Sequence, residues 1–302
     1  MLKHNNSKAI TPSRVVILGA KGFVGSATTT LLSKNNFNVL SLGQQEVDLS
    51  KNESVDKLTH ILCPDDALII VSAKAPCKNY TMLYENIAMM KNVCDALIKK
   101  PVKQVIYISS DAVYADSANK ITESSLVAST SLHGIMHWAR EQMLSSIIAS
   151  QALLIMRPSL LYGKADPHNG YGPNSFYRLA AANKPIQLFG KGEELRDHVY
   201  INDVTEIIRL CLIHQSHGIL NIATGNVISF YDIAQQIVKL FDHKADIICN
   251  PRNAPMPHNG YRAFDPSLSH RLFPAFQYTS FTEGILKTHF EYQAQFKEES
   301  YV

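Results

Sequence analysis

The stretch RVVILGAKGFVG, residues 14–25, decides the fold. Its first six residues are a short apolar, β-branched run ending in glycine, which reads as a strand buried in a parallel sheet. Gly19, Gly22 and Gly25 then form G-x-x-G-x-x-G on the way into a helical pattern, FVGSATTTLLSKNN. Gly19 allows the tight turn, Gly22 lets backbone approach a pyrophosphate, and Gly25 lets the helix pack closely on the strand. The helix N-terminus offers free N–H groups to the phosphates. A bare glycine pattern says little. A strand before it and a helix after it make it a dinucleotide-binding turn.

Outward from that turn the pattern repeats. FNVLSL (37–42), ALIIVSA (67–73), KQVIYISS (103–110) and ALLIMRPS (152–159) read as further strands. Long helical patterns cover 80–100 and roughly 131–149. Strands alternating with helices predict an α/β fold: a Rossmann-type, doubly wound parallel sheet covered on both faces. After residue 163 a Gly-, Pro- and Asn-rich loop, GKADPHNGYGPN, breaks the rhythm. Shorter elements follow, with helices near 175–183, 203–214, 229–242 and 281–290, and strands near 185–189, 219–223 and 245–249. A chain of 302 residues has room for one cofactor domain and a smaller C-terminal lobe.

Composition excludes several classes. A net charge of +3 is too small to argue for nucleic acid or a membrane surface. The five cysteines (63, 77, 94, 211 and 249) are scattered and never spaced C-x-x-C, which speaks for a reducing compartment and against a structural zinc site. The N-terminus lacks a secretory apolar stretch, and ALIIVSA is too short to cross a bilayer. The expected location is cytoplasmic.

Further motifs complete a pattern. VSAKA (71–75) lies where a strand end would pass a cofactor, and Asn86 sits in YENIAMMKNV. ISSDAVYA (108–115), MRPSLLYG (156–163) and LFGKGEELRDHVYINDV (188–204) follow. Together with GAKGFVG, these resemble the extended short-chain dehydrogenases/reductases of the NAD-dependent epimerase/dehydratase group, whose members act on nucleotide-diphosphate sugars. The resemblance runs from about residue 13 to about 290. It implies that the chain crosses back, so that 1–163 and about 200–228 form the dinucleotide-binding domain and 164–199 with 229–302 the substrate-binding lobe. It also implies a homodimer and an NAD or NADP cofactor. Contacts to that cofactor would come from Gly19, Lys21, Gly22, Phe23, Val24, Gly25, Asp48, Leu49, Ala73, Lys74, Asn86, His137 and Pro158. The second strand ends in Gly43, Gln44 and Gln45, with neither a carboxylate for a ribose 2′-hydroxyl nor an arginine for a 2′-phosphate, so NAD and NADP both stay open. Asp48 also reads as leading into a helix capped by Ser50.

The family's catalytic pair, a tyrosine and a lysine four residues apart, falls on SLHGIMHWARE (131–141). There it is replaced by His133 and His137, and no tyrosine in the chain has a lysine four residues on. Four residues on a helix return to nearly the same face, about 40° apart. A tyrosine with a pKa of about 10 needs the lysine to act at neutral pH, whereas a histidine at about 6.5 does not. His133 is therefore the candidate general base, oriented through Ser110, with His137 donating to a ribose hydroxyl. A site that binds but turns nothing over is the alternative. Two histidines at i, i+4 also suit zinc, but HExxH is absent and no metal is expected.

The resemblance places Asp111 where dehydratases carry an acid, although Ala112 stands where their glutamate would. Arg196 and Arg262 are the candidate ligands for a substrate diphosphate, because a planar guanidinium matches two phosphate oxygens. Tyr114, Asn174 and Phe176 are candidate sugar- or nucleotide-binding residues. Asp203 is expected to cap the following helix. The helix at 131–149 is apolar on more than one face, which with helix 80–100 suits a dimer seam.

Overall fold

Alternating apolar strands and half-apolar helices build the first half of the chain one layer at a time. The computed structural model describes residues 2–167 and 169–299, the side chains of 295–299 excepted. In chain order the elements are β1 (Lys3–His4), β2 (Arg14–Leu18), α1 (Phe23–Lys34), β3 (Val39–Leu42), α2 (Glu53–Ile61) and β4 (Asp66–Ile70). Next come α3 (Tyr80–Lys99), β5 (Gln104–Ile108), α4 (Leu132–Ser145), β6 (Leu153–Pro158) and β7 (Leu160–Tyr162). The second half contains α5 (Pro173–Ala181), β8 (Ile186–Phe189), β9 (Leu195–Tyr200), α6 (Ile201–Ile213), β10 (Ser216–Ile222) and β11 (Val227–Ser229). It ends with α7 (Phe230–Lys239), β12 (Ile247–Asn250), β13 (Tyr261–Arg262), α8 (Ser267–Leu272) and α9 (Phe281–Glu299).

The main sheet has the order β1-β10-β6-β5-β4-β2-β3. All its pairings are parallel except the edge contact of β1 with β10. From β2 the chain steps out to β3 and then back to β4 on the other side. That reversal opens a crevice at the carboxyl end of β2, where an open α/β sheet binds its ligand. Val16, Ile17, Leu68, Ile69 and Ile106 are fully buried, as strands covered on both faces must be. One face packs under α1 and α6 and the other under α2, α3 and α4. The chain leaves this sheet after β6 and returns with α6 and β10. Between and after these it builds a second layer of small sheets, β11-β9-β13 with β7 on β9, and β12 on β8. These close over their own core around Phe176, Ile233 and Ile237.

Several local features differ from expectation. The helix read as 131–149 ends at Ser145, because Ile147 N–H and Ile148 N–H both turn back to Leu144 O and tighten the last turn. Asp203 does not cap α6; its carboxylate accepts from Thr279 N–H at 2.7 Å and Thr279 Oγ at 2.8 Å, tying α6 to the C-terminal segment. Ser50 does not cap α2, which begins at Glu53; its N–H and hydroxyl both donate to Asp48 Oδ1. Strand β9 was hidden because Arg196, Asp197 and His198 break the apolar alternation, yet all three are buried. No helix among the described residues is long and apolar enough to cross a membrane.

Candidate functional site

The crevice is a cleft of about 820 Å³. The turn after β2 forms one end. The turn is tight for the reason the sequence suggests: a Cβ on Gly25 would sit 2.2 Å from Gly19 O, so α1 lies almost against the turn. Gly22 is extended at the helix start, and the first N–H groups of α1 have no partner within the helix. This cradle fits a pyrophosphate. Gly19, Lys21, Gly22, Phe23, Val24, Asp48, Leu49, Ala73, Lys74, His137 and Pro158 line the cleft, as do Ser110, Asp111, His133, Arg196 and Arg262.

Five of the residues singled out from the sequence do not line it. Gly25 is the packing contact just described. Asn86 is fully buried and clamps the 71–76 loop, accepting from Lys74 N–H at 2.9 Å and donating to Lys74 O at 3.0 Å. Tyr114 is buried with its hydroxyl donating to Asn221 Oδ1 at 2.7 Å, and Arg157 lies over its ring. Asn174 accepts from Gly163 N–H and donates to Asp166, holding the loop after β7. Phe176 belongs to the core of the smaller lobe.

The two imidazoles face each other in the middle of the cleft, ring centroids 4.8 Å apart and nearly perpendicular. They reach it because Gly134, between them on α4, lets the helix approach the turn at 110–112. Ser131 caps the helix by accepting from Gly134 N–H at 3.1 Å. Cys77 N–H donates to His133 Nδ1 at 3.4 Å. His137 is buried, its Nδ1 lies 2.8 Å from the Tyr107 hydroxyl, and burial pushes its pKa well below the usual histidine value. His137 is therefore neutral at neutral pH. Ser110 Oγ accepts from Ala112 N–H at 3.1 Å and donates to Asp111 Oδ1 at 3.3 Å, which fixes it at the head of a short 3₁₀ turn. Behind these groups Glu141 and Arg157 form a buried two-pronged ion pair, and Ser109 donates to the same carboxylate.

At the far end, Arg196 and Arg262 are both buried and both line the cleft. Arg262 donates to Asp111 Oδ2 at 2.8 Å and Asp111 O at 2.5 Å, and reaches Asp116 and His258. His258 also pairs with Asp116. Arg196 donates to Pro257 O at 2.7 Å, and burial lowers its pKa. Asp197, also lining the cleft, accepts from Ser159 Oγ, Thr224 N–H and Gly225 N–H; burial raises it to about 6. Lys74 pairs with Glu85 at 3.0 Å, and both are part-exposed. Among the described residues no group of three or more His, Cys, Asp or Glu is placed to hold a metal ion.

Sequence reasoning missed Tyr107, His258 and Glu46. Tyr107 reads as one more core residue of a strand until α4 brings His137 to it. Glu46 lies a few residues past the strand end, but its carboxylate folds back to accept from Gly43 N–H at 2.7 Å and from Lys21 Nζ. The signal was an acid one turn beyond the expected ribose-reading position.

The glycine turn and the cleft at the switch point define a dinucleotide-binding Rossmann protein, with Arg196 and Arg262 lining the same cleft. The chain belongs to the NAD dependent epimerase/dehydratase family, whose model matches residues 15–223. It is 26% identical over 259 residues to GDP-L-fucose synthase of Sinorhizobium fredii (strain NBRC 101917 / NGR234), covering 78% of this chain and 82% of that one. Its fold is similar to UDP-glucose 4-epimerase of Thermotoga maritima with UDP-glucose, with a TM-score of 0.82 and 19% identity over 94% of this chain and 99% of that one. The NAD complex of UDP-glucose 4-epimerase from Thermus thermophilus gives a TM-score of 0.77 at 22% identity, covering 91% and 97%. The cofactor of the family is a nicotinamide dinucleotide, NAD or NADP.

Proposed function

We propose that the protein transfers a hydride reversibly at a carbon of a nucleotide-diphosphate sugar, as an epimerase or ketoreductase, with His133 in place of the tyrosine. The observation that carries this reading is that both imidazoles line the same cleft as the glycine cradle, Ser110 and the two arginines. Bound NAD or NADP supplies the hydride acceptor and donor. His133 moves the proton of the reacting hydroxyl, Ser110 orients that hydroxyl, and His137 donates to a ribose oxygen. Arg196 holds the diphosphate. Arg262, with its donors directed to Asp111, Asp116 and His258, braces the subsite. Residues 1–163 with about 200–228 serve the dinucleotide, and 164–199 with 229–302 serve the sugar nucleotide.

A dimer and a cytoplasmic location belong to the same reading. Tyr80 and Tyr84 on α3 are 81% and 74% exposed, and Ile135 and Trp138 on α4 are part-exposed. The two helices pack on each other, which supports placing the seam there.

One observation favours a silent binding protein of the same fold. A neutral His133 that accepts the Cys77 N–H at Nδ1 carries its own hydrogen on Nε2, and that nitrogen is then no base. At 3.4 Å the contact is long, and releasing it costs under about 1 kcal/mol. The test is direct. Purified protein is incubated with NAD or NADP and a panel of UDP-, GDP- and dTDP-sugars. Absorbance of reduced nicotinamide and formation of epimers are followed for the wild type and His133→Ala. Turnover that disappears in the variant supports the proposal. Cofactor binding with no turnover on any sugar supports the silent protein, and turnover that survives His133→Ala rejects the role of His133.

A further inference from the structure

Tyr107 lies on β5 directly behind α4, with 1% of its surface exposed. Its hydroxyl is 2.8 Å from His137 Nδ1. The Arg140 guanidinium sits over the phenol ring, 5.2 Å from its centre, and is itself fixed by donating to Ser72 O at 2.6 Å. Met136, the neighbour of His137 on α4, accepts from the same guanidinium at 3.8 Å. The phenol and the imidazole thus meet in a sealed compartment behind the cleft.

Counting hydrogens settles which group donates. A phenol carries one O–H and a neutral imidazole one N–H. If Nδ1 carried the hydrogen, it would donate to the phenol oxygen. The Tyr107 O–H would then point into the interior with no other acceptor, since His137 is its hydrogen-bond partner among the described residues. A buried donor left unmade disfavours that arrangement by about tenfold or more. In the reverse arrangement Tyr107 donates to Nδ1, and the imidazole hydrogen sits on Nε2. The phenol hydrogen and the Nδ1 lone pair are then both satisfied, and the remaining N–H is on the side of the ring away from the phenol. The charged alternatives are closed as well. Burial pushes the Tyr107 phenol up and the His137 imidazole down, with His133 and Arg140 beside the ring adding to the second effect. His137 lines the cleft and has its Nδ1 turned inward, so Nε2 is the nitrogen left for the cleft.

We infer that Tyr107 is a positioning residue for His137: its buried hydroxyl pins the ring as the Nε2–H tautomer and so gives the cleft one fixed N–H donor. Resting on the reading that the cleft takes a nicotinamide dinucleotide, this specifies the acceptor as a ribose oxygen. A lysine ammonium would bring three rotatable donors and a charge to the same place. The imidazole brings a single direction and no charge. The pair also explains why a histidine works at this position at all. Without the phenol its ring is free to exchange tautomers, and the Nδ1–H form presents a lone pair where a donor is needed.

The experiment uses the full chain with isotope-labelled histidine and no cofactor. Nitrogen–proton correlation spectra separate the two neutral tautomers and the imidazolium, and His137→Gln assigns the His137 signals. The expected spectrum at neutral pH shows His137 protonated on Nε2 and bare on Nδ1. Tyr107→Phe keeps the ring volume and removes the donor. It is expected to give a mixture of tautomers and to weaken binding of NAD or NADP by about twofold, the loss when roughly half the molecules hold the competent tautomer. A wild-type His137 found protonated on Nδ1, or doubly protonated at neutral pH, overturns the inference. So does a Tyr107→Phe protein whose tautomer stays fixed. If that variant does not fold, the wild-type spectrum alone decides. Because the spectra need neither cofactor nor turnover, a protein that proves catalytically silent leaves this result standing.

Discussion

Replacing Gly134 with alanine tests the geometry on which the site depends. Gly134 lies between the two histidines on α4. A Cβ built there falls 2.0 Å from Ala112 O and 2.1 Å from Ser129 Oγ, where ordinary contact begins at 3.4 Å. Rotation can move the serine hydroxyl but not its Cβ, 2.6 Å away, and the carbonyl is backbone. The helix must therefore retreat from the 110–112 turn by about 1.4 Å, the difference between 3.4 and 2.0 Å. Overpacking of this kind costs about 1–3 kcal/mol, and a clash with backbone belongs at the upper end. Alanine returns about 1 kcal/mol of helix propensity. The net loss is about 2 kcal/mol, which for a chain of this size lowers Tm by roughly 4 °C. The retreat carries His133 and His137 away from Ser110, and a misplacement of about 1 Å costs roughly 100-fold in rate. Scanning calorimetry reads the first effect and turnover on a responsive sugar nucleotide the second. Gly170→Ala, whose added Cβ meets nothing within 4 Å, is the control. A Gly134→Ala protein with the wild-type Tm and undiminished cofactor affinity would refute the claim that α4 is held against this turn.

Other perturbations probe different parts. Glu141→Ala strands the fully buried Arg157 guanidinium and removes the acceptor of Ser109; a loss of about 3–5 kcal/mol is expected in urea unfolding, and less for Glu141→Gln. His198 is buried and titrates at about 4, below its unfolded value of 6.5, so the unfolded chain takes up the proton first and stability falls as pH drops through that window. His198→Leu should remove about 2 kcal/mol of this acid-side loss at pH 5, measured as the change in unfolding free energy relative to pH 7.5. Asp197 next to it titrates at about 6, above its unfolded 3.8, and works in the opposite sense, losing stability as pH rises from about 4 to 6. The wild-type profile is accordingly flatter than that of His198→Leu. Tyr84→Arg together with Trp138→Glu should convert a dimer to a monomer in sedimentation; an unchanged mass would remove α3 and α4 as the seam.

The cofactor half was legible because its signals are local. Gly19, Gly22 and Gly25 carry their meaning within seven residues, and the strands of the parallel sheet are unbroken apolar runs. The register of His133 and His137 was legible too, since helical spacing alone puts them on one face. The smaller lobe was harder. Its strand β9 mixes Arg196, Asp197 and His198 into a buried position, so hydropathy hides it, and β11 and β13 are too short to show periodicity. Tyr114, Asn174 and Phe176 sit in motifs that suggest ligands, but each side chain turns to Asn221, to Gly163 and Asp166, or into the core. Side-chain direction there depends on contacts between segments more than 100 residues apart in the case of Tyr114, and sequence does not display them.

The Arg262 strut has a mechanical consequence. It grips Asp111 by side chain and carbonyl, and Asp111 is the residue next to Ser110. Arg262 itself belongs to β13, which runs alongside β9 in the smaller lobe. A displacement of β13 would therefore be passed through Arg262 to the backbone beside Ser110. The position of that lobe and the alignment of the hydroxyl are thus tied through a single side chain.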